Sequence, residues 1–145
     1  MLQLSDLEHP WRLLPRKKRE RRQLRLGEMR LGTENALPGR GIPVAKSVCV
    51  TELINYQTAS VVSRQLVKHE KGNVTLFAFD ESQGLSEHTA PFDALVHVLE
   101  GETEITISGI PIRAKAGDMV LMPANQPHAL TAITRFKMLL TMVRS

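Results

Sequence analysis

From Glu102 to Ser108 the chain alternates strictly. Glu102, Glu104, Thr106 and Ser108 fall on one face, and Thr103, Ile105 and Ile107 on the other. A period of two marks a strand with one buried face. Ser108-Gly109 follows, ahead of Ile110-Pro-Ile-Arg113. Glycine there supplies the positive φ that a tight hairpin needs. Comparable patterns lie on both sides. Residues 61–69 and 74–79 read as strands, the second alternating Val74, Leu76 and Ala78 against Thr75, Phe77 and Phe79. Lys71-Gly-Asn73 is the predicted turn between them, and 80–84 the next turn. Residues 94–101, 129–133 and 135–143 read as further strands, and 46–55 as a strand or a single helical turn leading in. Many short strands and no convincing helix predict an all-β jelly-roll barrel.

The first 44 residues follow another pattern. Pro10 and Pro15 interrupt any early helix that Ser5 would cap, and residues 17–30 carry an imperfect apolar stripe of Leu24, Leu26 and Met29, continued by Leu31. Leu37-Pro-Gly-Arg-Gly-Ile-Pro43 is a breaker-rich linker. The reading is therefore an extension over 1–44 and a barrel over 45–145, with no internal repeat.

Charge sharpens this division. The chain's net charge is +4. Residues 1–45 hold ten Lys and Arg against five Asp and Glu, whereas 46–145 hold nine against ten. The basicity is concentrated in Arg16-Lys-Lys-Arg-Glu-Arg-Arg22. Contact with nucleic acid is conceivable only through residues 12–30. No aromatic platform or nucleic-acid motif accompanies that run, so a solvated extension is the favoured reading. The 145 residues suit one domain with a real core. A single cysteine, Cys49, excludes an internal disulfide and fits a reducing compartment. No apolar run has the length of a membrane span and no signal peptide is apparent, so a cytoplasmic protein without membrane contact is expected.

Candidate chemistry lies between Gly84 and His128. Gly117-Asp-Met-Val-Leu-Met-Pro123 leads into Ala124-Asn-Gln-Pro-His128, and His88 precedes the apolar run Ala94-Leu-Val-His-Val-Leu-Glu-Gly101. This stretch resembles the cupin superfamily and its two motifs, G-x5-H-x-H-x3,4-E-x6-G and G-x5-P-x-G-x2-H-x3-N. The second fits at Gly117, Pro123 and His128, with Asn125 in place of the inner glycine and Ala132 in place of the last asparagine. The first fits at His88 and Gly101. Ser82 stands at its opening glycine, Ala90 at its second histidine and Ala94 at its glutamate.

The resemblance implies a double-stranded β-helix barrel, with His88 and His128 pointing inward. Strand parity then turns Val96, Val98 and Leu130 inward as well, and sends Asp93 and His97 away. The expected pocket holds two imidazoles and an otherwise apolar lining. Cupins that bind iron, manganese, nickel or zinc usually use three histidines and a glutamate. A catalytic site for such an ion needs about three side-chain ligands. His88 and His128 supply two. Asp93 is a third candidate if a bulge at Pro91 shifts the register by one residue, and Glu87 is a weaker one. The favoured expectation is a barrel that binds a small, partly apolar molecule, with His88 and His128 as polar anchors. The alternatives are a metal-dependent oxygenase or isomerase with a recruited carboxylate, and a ligand-sensing regulator that uses the basic arm. Met119, Met122, Met138 and Met142 are read as core filling. A homodimer is expected from the resemblance, and from the closing strand, whose second apolar face needs a cover that a second subunit or the N-terminal segment could provide, the subunit being favoured.

Overall fold

The computed structural model describes residues 41–144. The readings made for 1–40, including the helix and the basic run, lie outside the described residues. Of the described residues, 41–42 and 48–144 form one compact unit, the barrel. Its strands are β1 (Val61–His69), β2 (Gly72–Phe79), β3 (Gly84–His88), β4 (Asp93–Glu100), β5 (Glu102–Ile107), β6 (Ile110–Lys115), β7 (Met119–Met122), β8 (His128–Ala132) and β9 (Phe136–Val143). They form a five-stranded sheet, β1-β2-β9-β4-β7, and a four-stranded sheet, β3-β8-β5-β6. Every pairing is antiparallel. The predicted all-β jelly roll is the observed architecture.

Alternation explains the core. Ala94, Val96 and Val98 on β4 and Phe136, Met138 and Leu140 on β9 meet Ile105 on β5 and Leu130 on β8 between the sheets. Phe79 and Phe136 stack almost parallel there, with centroids 4.5 Å apart. The β5–β6 turn matches its prediction. Ser108 and Gly109 both take positive φ, at 49° and 80°, as a two-residue hairpin of the primed type requires.

Two expectations change. The β1–β2 turn is Glu70-Lys71 and not Lys71-Gly-Asn73, since His69 pairs directly with Gly72. Gly72 lies inside β2, where a Cβ would run into the Met142 carbonyl on β9. Close approach, and not turn geometry, is why glycine stands there.

The outer face of the five-stranded sheet is the second correction. The lead-in predicted over 46–55 contains a 3-10 turn at Val50–Leu53. Together with Ile54 and Tyr56 it packs on Leu66, Leu76, Ala78 and Leu139. The chain itself therefore covers part of the face for which the sequence favours a second subunit over the N-terminal segment. A polar clamp holds this cover down. Buried Lys137 donates to the Thr51 carbonyl at 2.8 Å and lies 3.3 Å from the Glu100 carboxylate, which also accepts from the Tyr56 hydroxyl at 2.6 Å. Burial, and then the bond to Glu100, push the Tyr56 hydroxyl's pKa well above its usual value. Met119 and Leu121, on the edge strand β7, remain exposed at 55% and 57%.

Candidate functional site

The site forms where β3 and β8 face β4, β7 and β9. His88 and His128 are directly paired residues on β3 and β8. Their rings meet edge to face with centroids 4.4 Å apart. A register shift between Leu85 and His88 lets both side chains reach one cavity despite their odd spacing. His128 is buried at 6% exposure, whereas His88 sits on the sheet edge and is exposed. The two imidazoles thus mark the inner wall and the mouth.

Each ring is oriented by the backbone carbonyl two residues before it. His88 Nδ1 lies 2.7 Å from the Ser86 carbonyl, and His128 Nδ1 lies 3.0 Å from the Gln126 carbonyl. A carbonyl oxygen only accepts, so Nδ1 carries the proton in each case. In the neutral ring Nε2 is then the basic nitrogen, able to accept a hydrogen bond or bind an ion.

The cavity measures about 40 Å³. That volume suits an ion or a few waters, at roughly 10–15 Å³ each. Any larger organic portion must sit at the mouth. Besides the two histidines, the lining is apolar, with Leu85, Ala90, Ala94 and Leu130 among it. Leu130 is therefore where the sequence reading put it. Val96 and Val98 point inward and are fully buried, but they do not line the cavity. A strand rises ~3.3 Å per residue, so they lie ~7 and ~13 Å along β4 from Ala94. The aromatic core fills that depth. The methionines are core filling, as read, at three of the four positions: Met122 and Met138 are buried in the core and Met142 packs against it. Met122, Met138 and Met142 line the cavity, and only Met119 faces outward.

The carboxylates do not join the imidazoles. Asp93 is exposed at the start of β4, and its Oδ1 accepts from the Ala124 amide at 2.9 Å. It braces the turn before β8, where the register shift proposed at Pro91 would have carried it inward. Glu87 is exposed on the edge strand and does not line the cavity. Among the described residues no group of three or more His, Cys, Asp or Glu side chains could hold a metal. The donor set does not fit the three-histidine, one-glutamate site that the fold family implies for iron, manganese, nickel or zinc, because Ala90 and Ala94 line the cavity at those two positions.

The motif's backbone has survived better than its ligands. Gly101 takes φ 76°, and a Cβ there would collide with the Arg135 carbonyl and with Phe136. Ser82 and Asn125, at positions where the motif has glycine, also adopt left-handed φ, at 66° and 63°.

Residues 75–143 match the cupin domain family. A conserved protein from Streptococcus pyogenes is 36% identical, with a TM-score of 0.70 over 72% of this chain and 92% of that one. The chain belongs to the cupin superfamily. A cupin superfamily protein from Desulfitobacterium hafniense is 28% identical, with a TM-score of 0.69 over 72% of this chain and 96% of that one. A cupin 2 conserved barrel domain protein from Leptotrichia buccalis is 39% identical, with a TM-score of 0.63 over 65% of this cupin and 46% of that chain. No curated protein matches the sequence. Among the described residues of this cupin, no helix is long and apolar enough to cross a membrane.

Proposed function

We propose that this cupin barrel is a binding module for a small, partly apolar molecule, with a hydrogen-bond donor held against Nε2 of His88 and His128. The observation that carries this reading is the pair of imidazoles in direct register, each with Nδ1 bound to the backbone carbonyl two residues before it and both on one otherwise apolar cavity. An apolar lining with a few placed polar groups is the ordinary composition of a small-molecule site. The small volume of about 40 Å³ favours a compact polar head, with any apolar part toward exposed His88. A metal-dependent oxygenase or isomerase with a recruited carboxylate is not supported by these donors, since Asp93 is engaged with Ala124.

Phenol, a small apolar ring with one hydroxyl donor, is a suitable probe. Titrated at pH 8 and followed by proton NMR, it should shift the ring protons of both His88 and His128, and His128→Leu should abolish the response at His88. Saturating phenol that leaves both histidines unmoved in the folded protein would overturn the reading.

A further inference from the structure

We infer that the same cavity is a site for a soft monovalent metal ion, Cu(I), bound by Nε2 of His88 and His128 and by the thioethers of Met122 and Met142. The inference shares the two imidazole anchors with the reading above and rests on it to that extent. Its own support comes from the opposite wall. Ala94 on β4 pairs with Met122 on β7 and with Met142 on β9, so the three form one row across the five-stranded sheet. Residues paired directly across antiparallel strands project to the same face with Cβ atoms ~5 Å apart. Ala94 faces inward at 2% exposure, and both methionines line the cavity beside it. Two sulfur-bearing side chains therefore flank the alanine that stands at the motif's glutamate. They face two in-register imidazoles on the other sheet, and a third thioether, that of Met138, lines the same space.

Three physical arguments select the ion. Thioether sulfur is a soft, neutral donor that favours Cu(I), whereas hard divalent ions favour oxygen. Charge points the same way, because no carboxylate among the described residues lines the cavity to neutralise a second positive charge. The Born penalty of an ion in a medium of low dielectric constant grows with the square of its charge, so a monovalent ion incurs only about a quarter of the divalent value. Spacing also fits. Two imidazoles sharing one ion through metal–nitrogen bonds of ~2.0 Å have centroids ~5 Å apart at a tetrahedral angle. The observed 4.4 Å is within a small ring adjustment of that value. An ion also suits a cavity of about 40 Å³ better than an organic group does.

The test is anaerobic titration of the full-length, untagged protein with Cu(I) against a chromophoric chelator such as bathocuproine disulfonate. A Cys49→Ser background removes the exposed thiol, which is the chain's only cysteine. The expected result is one Cu(I) per chain in that background. The Met122→Leu/Met142→Leu variant should bind at least ~10- to 100-fold more weakly, the scale on which metal sites respond even to changes in supporting groups. Its melting temperature without metal should move by only a few degrees, since Leu and Met are close in volume. Unchanged affinity in the variant would overturn the inference, as would loss of all binding on Cys49→Ser alone. X-ray absorption at the copper edge of the Cys49→Ser protein gives a second readout that does not depend on the methionine variant folding. Mixed nitrogen and sulfur coordination supports the site, and a shell without sulfur refutes it. Histidine shifts with phenol but no Cu(I) binding would refute this inference alone and leave the small-molecule reading standing.

Discussion

Restoring the missing ligands gives the most direct test of the site's geometry. In the Ala90→His/Ala94→Glu variant, the introduced imidazole and carboxylate should join His88 and His128 around the cavity, because both alanines line it now. Without metal the change should destabilise. Ala94 is only 2% exposed and Met122 and Met142 flank it, so a glutamate must crowd them and bury a carboxyl beside sulfur and hydrocarbon. Overpacking and unsatisfied polar burial each cost ~1–3 kcal/mol, so a loss of about 3 kcal/mol is expected. At about 4 °C per kcal/mol for a chain of this size, the melting temperature should fall by roughly 12 °C in chelator at pH 7. Zinc at about one hundred times its Kd should return ~2.7 kcal/mol and most of that loss. The parent, with two imidazoles and no carboxylate in the cavity, should move by less than about 2 °C in the same zinc. Calorimetric melts of both proteins, with and without zinc, decide the matter. A folded variant that zinc does not stabilise would show that the four positions do not converge. A variant as stable as the parent in chelator would show that the new carboxyl escapes to solvent.

Four further outcomes follow from the structure. Gly101→Ala should destabilise severely, by more than ~4 kcal/mol, because its Cβ meets the Arg135 carbonyl, whereas Gly109→Asn, with the same sign of φ and open space around it, should stay within ~1 kcal/mol in urea melts. Equal effects would refute the steric account. Glu100→Ala strands buried Lys137 and the Tyr56 hydroxyl and should cost ~2 kcal/mol, while Lys137→Met, which removes the buried charge itself, should cost less than ~1 kcal/mol; the reverse order would show that the clamp is not organised around Glu100. Tyr56 has a raised pKa in the folded state, so its contribution is complete below the unfolded tyrosine value of 10.0 and is lost as pH rises beyond it. Stability should therefore fall more steeply above pH ~10 in the parent than in Tyr56→Phe, and identical profiles would refute that assignment. Finally, light scattering should show a dimer that Leu121→Lys dissociates, since Leu121 and Met119 are large apolar residues left exposed on the edge strand; a monomeric parent would refute twofold pairing through this face.

Local pattern was enough to read most of the framework. Alternation along 102–108 determined which face of β5 is buried, since the two-residue period of a strand leaves no other choice. The spacing from Gly117 through Pro123 to His128 placed one imidazole of the pair, and the positive φ at Asn125 shows how the motif tolerates its missing glycine. What the pattern could not supply was everything that depends on neighbours across strands. Parity showed that Val96 and Val98 point inward but not that the cavity ends before them, because depth is set by how Phe79 and Phe136 pack from other strands. Asp93 could be weighed as a ligand until the Ala124 amide claimed its carboxylate from 31 residues away in sequence. For the cover over the outer sheet face the sequence favours a partner over the N-terminal segment, because nothing local links Val50 and Ile54 to Leu139. The methionines were legible as core filling, but not their alignment: Met122 and Met142 are 20 residues apart in sequence, and only the pairing of β7 and β9 on either side of β4 sets them in one row with Ala94. Single-strand periodicity thus determined the direction of each side chain, while strand order and register determined what it meets.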